Sequence, residues 1–345
     1  MAGGTGGHVF PALAVAQYLA EQNWQVSWIG THKGMESDVV PSNQIEIDWL
    51  SVSGLRGKGS LALFKMPFML LKSCLEARKI LQARKPDVVL GMGGFVAGPG
   101  GLMAKLMGIP LVIHEQNRIP GTTNRLLAKV ANKVLQAFPE SFSDSKGAIF
   151  TGNPLRKTLL GEHAKLSKPA KHILHVLVMG GSLGAQRLNE LVPGALEQFE
   201  GKVKVKHQAG KFNSQSVQAV YENKAINAEV LEFIDDVVAA YTWADIVICR
   251  AGAMTVSELA ALGVPSILVP YPYAIDDHQS ANAQYLVDAG AGVVIEQKQL
   301  TEEILVEKIQ YCVARLELMR KAARQSAKLN ATELVAEQCM IEAGI

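Results

Sequence analysis

Four glycines and a histidine open the sequence as Gly3-Gly4-Thr5-Gly6-Gly7-His8, just ahead of an apolar run at residues 10–20. Glycines at this density let a turn bring its backbone N–H groups close to a phosphate, and a following helix aims the positive end of its dipole at the same point. The turn reads as an anion cradle. His8 at its edge adds an imidazole able to exchange a proton near neutral pH, which a purely structural turn does not require. A second polar group, His114-Glu115-Gln116-Asn117, follows the apolar residues 110–113. That is the strand end at which parallel α/β sheets bind ligands, although Glu115 also suits a buried structural pair. A third run, Arg250-Ala-Gly-Ala-Met-Thr-Val-Ser-Glu258, follows the apolar residues 246–249. Here Thr255 suits a helix cap with Glu258 three residues on, as in a capping box, and Glu258 also suits two hydroxyls of a sugar or ribose.

These residues need strands to carry them. Residues 25–30, 45–50, 86–91, 110–114 and 133–137 read as strands, with helical stretches at 61–85, 102–107 and 124–131 between them. Strands alternating with helices give a parallel sheet. Residues 152–171 read as a linker, and the pattern then restarts with an apolar strand at 172–179 running into Gly180-Gly-Ser-Leu-Gly184. Further strands are expected at 203–207, 228–233, 246–249, 266–269 and 292–295, before a mostly helical end. The expected organisation is an acceptor- and membrane-facing N-terminal domain at 1–155, a donor-binding domain at 165–325, and a helix at 326–345 packed back on the first domain. The strand that normally enters the first glycine turn is expected to be missing, since only Met1 and Ala2 precede it.

Composition narrows the function. Net charge of +2 does not argue for nucleic acid, and 48% hydrophobic residues suffice for two cores. Cys74, Cys249, Cys312 and Cys339 have neither zinc nor disulfide spacing, so a reduced, cytoplasmic setting is expected. A signal peptide or spanning segment is not expected. A dinucleotide reading fails on spacing, because the third glycine of the fingerprint falls on Val9 and residues 25–30 lead into Thr31 rather than an acid. Asp276-Asp277-His278-Gln279 resembles an acidic metal-binding run, but adjacent loop carboxylates are usually solvated, and Gln279 and Asn282 suit hydroxyls or carbonyls better. Residues 61–75 are apolar, with Lys65, Lys72 and Lys79 on one helical face. This stretch fits either a core helix with a solvated lysine stripe or contact with an anionic lipid surface through Phe64, Lys65, Phe68, Leu71 and Lys72.

Together the three runs, Ser53-Gly-Leu-Arg-Gly-Lys-Gly59, Gly91-Met-Gly-Gly-Phe-Val-Ala-Gly-Pro99, Gly152-Asn-Pro-Leu-Arg156 and Gly180-Gly-Ser-Leu-Gly-Ala185 closely resemble, in order, the MurG family of bacterial N-acetylglucosaminyltransferases. The resemblance implies an α/β GT-B fold, two Rossmann-like parallel-sheet domains facing across a cleft. It implies transfer of N-acetylglucosamine from UDP-N-acetylglucosamine to lipid I, forming lipid II, by an inverting displacement. The donor diphosphate would meet Ser182 and the segment Ala253, Met254, Thr255, Val256 and Ser257. Glu258 would meet the ribose, Ile234 the uracil, Gln279 the sugar, and Arg156 the nucleotide's surroundings. Gly4, Gly93 and Gly94 would face the acceptor diphosphate, while Thr5, Gly6, Gly7 and Asn117 would reach the donor sugar. His8 is the first candidate base and Glu115 the second. No metal or other cofactor is implied. The implied location is the cytoplasmic face of the inner membrane, with cell-wall synthesis proteins as further partners. A sugar-nucleotide epimerase and a non-catalytic sugar-nucleotide-binding protein are the competing readings.

Overall fold

The computed structural model describes residues 1–52, 60–143, 147–163, 173–181 and 184–345, with backbone alone at 60–66, 162–163 and 275. The glycine motif at 53–59, Ser182 and the side chains of Phe64 and Lys65 lie outside the described residues. The chain divides into two units, residues 1–156 with 328–345, and residues 157–327.

The first unit runs α1 (Gly6–Glu21), β1 (Ser27–Gly30), α2 (Glu36–Ser42), β2 (Glu46–Trp49), α3 (Ser60–Arg84), β3 (Val89–Gly91), α4 (Ala97–Leu106), β4 (Leu111–Glu115), α5 (Thr122–Leu127), β5 (Lys133–Gln136) and β6 (Ile149–Phe150). The second runs α6 (Lys157–His163), β7 (Leu174–Met179), α7 (Gln186–Glu197), β8 (Val203–Gln208), α8 (Ser214–Asn223), β9 (Asn227–Leu231), α9 (Val237–Trp243), β10 (Ile246–Cys249), α10 (Ala253–Leu262), β11 (Ser266–Leu268), α11 (His278–Asp288), β12 (Gly292–Val294), α12 (Glu302–Val313) and α13 (Leu316–Ser326). Helix α14 (Ala331–Ala343) belongs to the first unit again.

The second unit holds one six-stranded parallel sheet in the order β12-β11-β10-β7-β8-β9. Its central strands are apolar on both faces, as a sheet covered by helices on both sides requires, and Val176, Leu177, Val178 and residues 246–248 are fully buried. Successive strands leave β7 in opposite directions, so the switch point of the topology lies between β7 and β10.

The first unit is built differently. Strands β3-β4-β5-β6 form one parallel sheet and β1-β2 another, with no β1–β3 rung among the described residues. At their top the two sheets are bridged by Met1 and Ala2. The Met1 amine donates to the Leu90 carbonyl at 2.8 Å, Met92 N–H donates to the Met1 carbonyl at 2.9 Å, and Trp28 Nε1 donates to the Ala2 carbonyl at 2.9 Å. Helix α1 is apolar and small on most of its surface, burying Val9, Ala12, Leu13, Val15, Ala16 and Leu19, which suits a helix enclosed rather than laid on the outside. Helix α14 closes over it, with Val335, Ala336 and Cys339 in one cluster with Val15, Leu19, Val112 and Leu135.

Candidate active site

In the first unit the two glycine turns meet. Gly4 takes φ +96°, while Gly93 and Gly94 take +91° and +79°, backbone that other residues adopt only under strain. A β-carbon on Gly94 would collide with the Gly3 carbonyl oxygen, so the second turn lies directly on the first. One on Gly93 would stand 2.9 Å from His8 Nε2, so the bare glycine leaves the imidazole room. Thr5 is the extended residue before α1, and the N–H groups of the first turn, Gly6 and Gly7 among them, point out of the helix end without intrahelical acceptors. His8 sits in that same turn, with Nδ1 3.5 Å from Thr5 Oγ1.

What shapes this turn is a residue that pattern reading passed over. Glu36, fully buried at the start of α2, accepts from Gly4 N–H at 2.9 Å through Oε2, and from Thr31 N–H at 2.9 Å and Thr31 Oγ at 2.8 Å through Oε1. Its carboxylate also fills the space where β-carbons of Gly3 and Gly34 would stand, and its Cγ stands 2.8 Å from where one on Gly30 would lie. The sequence signal was a run of glycines, at 3, 30 and 34, that only a shared neighbour explains. Replacing Glu36 by Gln turns one acceptor into a donor facing N–H groups, and the expected loss is about 1–3 kcal/mol of stability of the first unit. Chemical denaturation of the variant measures it.

Residues 114–117 are brought beside these turns and are themselves tightly fixed. His114 Nε2 donates to the Gly152 carbonyl at 2.9 Å, which assigns its tautomer, and Gln116 Nε2 donates to Nδ1 at 2.9 Å. Burial holds His114 neutral, with its pKa pushed down to about 4. Glu115 Oε1 accepts from the Asn117 backbone and side-chain amides at 2.9 and 3.2 Å, and Oε2 accepts from Gly121 N–H and Asn124 Nδ2 at 3.0 and 2.9 Å. With four donors on a buried carboxylate, Glu115 fixes the Asn117 loop, and every lone pair a base would use is occupied. Arg156 lies with its guanidinium 4.1 Å from the centre of the Phe10 ring, at the end of the first unit.

In the second unit the turns after β7 and β10 flank the switch point. The turn after β7 has Gly181 at φ +82° and Gly184 at +75°, and a β-carbon on Gly180 would strike the backbone of Ala185, so the turn closes tightly at the N-terminus of α7. After β10 the helix begins one turn earlier than the expected cap. Gly252, extended, is the N-cap and no side chain caps it, so Thr255 stands in the first turn and Glu258 in the second rather than forming a capping box. The reason is that glycine at 252 lets the chain turn at once into α10, which leaves the N–H groups of Ala253 and Met254 facing outward. Met254, Val256 and Ser257 complete that turn, Val256 facing the core at 0% exposure. The Tyr241 hydroxyl lies beneath, its pKa raised well above the usual range by burial and by the neighbouring Glu258 carboxylate.

Two other side chains hold these loops in place. Arg250 donates to the Val269 and Pro270 carbonyls at 3.1 and 3.2 Å and to Gln297 Oε1 at 2.6 Å, tying β10 to the end of β11. Gln279 Oε1 accepts from Ala251 N–H at 3.3 Å and Tyr271 N–H at 2.9 Å, which directs its Nε2 away from the backbone as a remaining donor. Asn282 Nδ2 donates to the Ala251 carbonyl at 3.2 Å, a loop-fixing role rather than an outward-facing one. Asp276 and Asp277 take left-handed φ of 52° and 50°, and Asp277 accepts from Ser280 Oγ at 2.7 Å. Ile234, 7% exposed, lies in the loop between β9 and α9.

Comparison with known proteins assigns the family. A Methylococcus capsulatus protein is 56% identical over 348 residues, covering 100% of this chain and 98% of the relative. One from Shewanella denitrificans is 51% identical, covering 98% and 95%. Both are named UDP-N-acetylglucosamine–N-acetylmuramyl-(pentapeptide) pyrophosphoryl-undecaprenol N-acetylglucosamine transferase. The crystal structure of Acinetobacter baumannii MurG matches with a TM-score of 0.85 at 41% identity, over 99% of this chain and 98% of that one. UDP-GlcNAc 2-epimerase from Neisseria meningitidis matches with a TM-score of 0.68 at 15% identity, over 98% of each, a likeness of fold alone. The fold is the two-domain GT-B arrangement of parallel sheets. With residues 1–136 matching the N-terminal domain and residues 175–339 the C-terminal domain of glycosyltransferase family 28, the chain belongs to that family of enzymes.

Proposed function

We propose that this chain transfers N-acetylglucosamine from UDP-N-acetylglucosamine to the C4 hydroxyl of the N-acetylmuramyl sugar in lipid I, with inversion, forming lipid II. The observation that carries the reading is the pair of glycine turns flanking the β7/β10 switch point with Glu258 one turn into α10. Outward N–H groups of α7 and α10 meet the diphosphate of UDP, assisted by Ser182 and the Thr255 hydroxyl. Glu258 accepts from the two ribose hydroxyls, the loop at Ile234 meets the uracil edge, and Gln279 Nε2 donates to the sugar. Replacing Glu258 by Gln removes charge-assisted bonds of about 1.5–3 kcal/mol, so KM for the donor is expected to rise roughly 10- to 150-fold with a smaller change in kcat. Initial-rate kinetics on the variant read both.

On the acceptor side, Gly4, Gly93 and Gly94 cradle the diphosphate of lipid I, while Thr5, Gly6, Gly7 and Asn117 approach the sugar. His8 takes the proton of the C4 hydroxyl as that oxygen bonds to the anomeric carbon and the bond to UDP breaks. Glu115 is set aside as base because all its lone pairs are engaged. Negative charge grows on the leaving UDP, where the positive helix ends stabilise it, so the reading asks for no metal.

No helix among the described residues is long and apolar enough to cross a membrane. An exposed apolar face on α3, α4 and α5 supports peripheral docking instead: Phe68 is 76% exposed, Leu71 59%, Leu106 69% and Leu126 59%. Lys72, which also pairs with Glu76 at 3.7 Å, and Lys105 supply charge for anionic lipid at the cytoplasmic leaflet. The test of the whole reading is UDP release from UDP-N-acetylglucosamine with and without a lipid I analogue. Release that depends on the analogue supports transfer, whereas release without it supports an epimerase or hydrolase. Vesicles of anionic and zwitterionic lipid at low salt test the docking separately.

A further inference from the structure

A cavity of about 400 Å³ opens beside the two glycine turns, where the chain leaves β1 and β2. Leu50 and Val52 after β2 line it, as do Phe95 and Val96 after the second turn, and it reaches Gly3 and Gly4 themselves. Its lining loops are fixed by carboxylates. Glu76 accepts from Ser51 N–H at 2.7 Å, and Glu36 holds Thr31 and Gly4 at once. Among the described residues Lys33 is the one charged side chain in the lining, which includes no carboxylate. His8 stands on the other flank of the turns. A β-carbon on Gly93 would lie 2.9 Å from His8 Nε2 and 3.5 Å from Gln116 Oε1, on the β4 side, and neither of these residues lines the cavity.

We propose that this cavity binds the first isoprene units of the acceptor's prenyl chain, next to the diphosphate. The assignment rests on the transferase reading above and deepens it. In a prenyl-diphosphoryl muramyl sugar the groups stand in a fixed order: the C4 hydroxyl, the ring, the diphosphate on C1, then the chain. The first unit holds matching parts in the same order, with His8, the glycine turns and then apolar walls. The muramyl peptide hangs from C3, beside the reacting C4, and so leaves on the His8 side of the cradle. Its amides and carboxylates would also give up water against Leu50, Val52, Phe95 and Val96 for few polar partners, whereas an isoprene unit gains from each apolar contact. Lys33 suits the anionic phosphate that bears the chain. The cavity also leads toward the apolar face assigned to the membrane. Phe95 is half exposed, and after it α4 presents Leu102 and Leu106, four residues apart on one side of the helix. A chain seated in the cavity therefore continues along that face.

The first experiment needs no turnover. Trp49 stacks on His32, a lining residue, with ring centroids 4.3 Å apart, so its emission reports filling of the cavity. The full chain, free of detergent, is titrated with geranyl diphosphate, methyl diphosphate and inorganic diphosphate. The expected result is a saturable change, lost in Trp49→Phe, with geranyl diphosphate bound about 10- to 100-fold more tightly than the other two. Val52→Asn, which sets an amide in the apolar wall, is expected to cut that preference about tenfold while circular dichroism shows a folded chain; Val52→Thr, nearly the shape of valine, serves if it does not fold. The second experiment compares two lipid I analogues whose diphosphate carries either a geranyl chain or an ethylene glycol chain of the same length. The geranyl analogue is expected to have the lower KM at similar kcat, with and without the peptide on the sugar. Three results would overturn the proposal: geranyl diphosphate bound no more tightly than methyl diphosphate, a preference left intact by the Val52 variants, or a preference that vanishes with the peptide, which would give the cavity to the peptide. Turnover of neither analogue would count against the transferase reading instead, and the geranyl diphosphate titration would still decide the cavity.

Discussion

Replacing His8 by Ala is expected to lower kcat by about 10²–10⁴-fold while leaving KM for the donor within about twofold. Its imidazole stands in the first turn of α1, edged by Thr5 Oγ1 and given room by the absence of a side chain at Gly93. A positioned base acts on the proton in flight in the transition state, so its removal lowers turnover rather than ground-state binding. The variant also loses the acidic limb of the pH–kcat profile, because that limb reports the group that must be deprotonated to accept. Unchanged turnover would remove His8 from the role. A parallel fall in Tm would instead point to damage at the turn, which His8→Asn, closer in shape, separates from loss of the base.

Arg320→Leu is expected to destabilise the second unit by about 3–5 kcal/mol. Arg320 and Asp245 are 8% and 5% exposed, and Arg320 donates to Asp245 Oδ1 at 2.7 Å. Asp245 also accepts from His175 N–H through Oδ2 at 3.0 Å, at the point where β7 begins. Removing the guanidinium leaves a buried carboxylate with one backbone donor, which is the costly half of breaking a buried pair. At roughly 2–4 °C per kcal/mol for a unit of this size, a drop in Tm of about 10 °C is the readout. The double variant Asp245→Asn with Arg320→Met is expected to regain much of the loss, since it removes the stranded charge as well. If the single and double variants are equally unstable, the lost interaction is packing by α13 rather than charge.

How far the sequence shows this protein depends on the kind of signal. The apolar runs at residues 172–179 and 246–249 contain β7 (Leu174–Met179) and β10 (Ile246–Cys249), because a strand buried on both faces needs uninterrupted apolar side chains. The two-residue β6 carries no such run and was not anticipated. Glycine clusters marked the turns correctly, since positive φ and close backbone approach leave little choice of residue. Partner choice was not legible. Glu36 looks like an ordinary helix-start acid until the fold brings Gly4 and Thr31 onto it. Glu115 looks like a base until four donors are seen on it, and Thr255 looks like a cap until Gly252 takes that position. In each case the deciding fact is which groups from distant segments converge, and local spacing does not contain it.

The central claim is transfer of a sugar to a lipid-linked acceptor with inversion, and the most direct measurement is the product itself. The full chain is incubated with UDP-N-acetylglucosamine labelled in the sugar and a lipid I analogue, and the lipid fraction is analysed by mass and by the anomeric coupling of the new linkage. The account expects one labelled hexosamine per acceptor in a β-1,4 linkage, with one UDP released for each. Label remaining on the nucleotide as an epimerised sugar, or UDP formed with no labelled lipid, would contradict it.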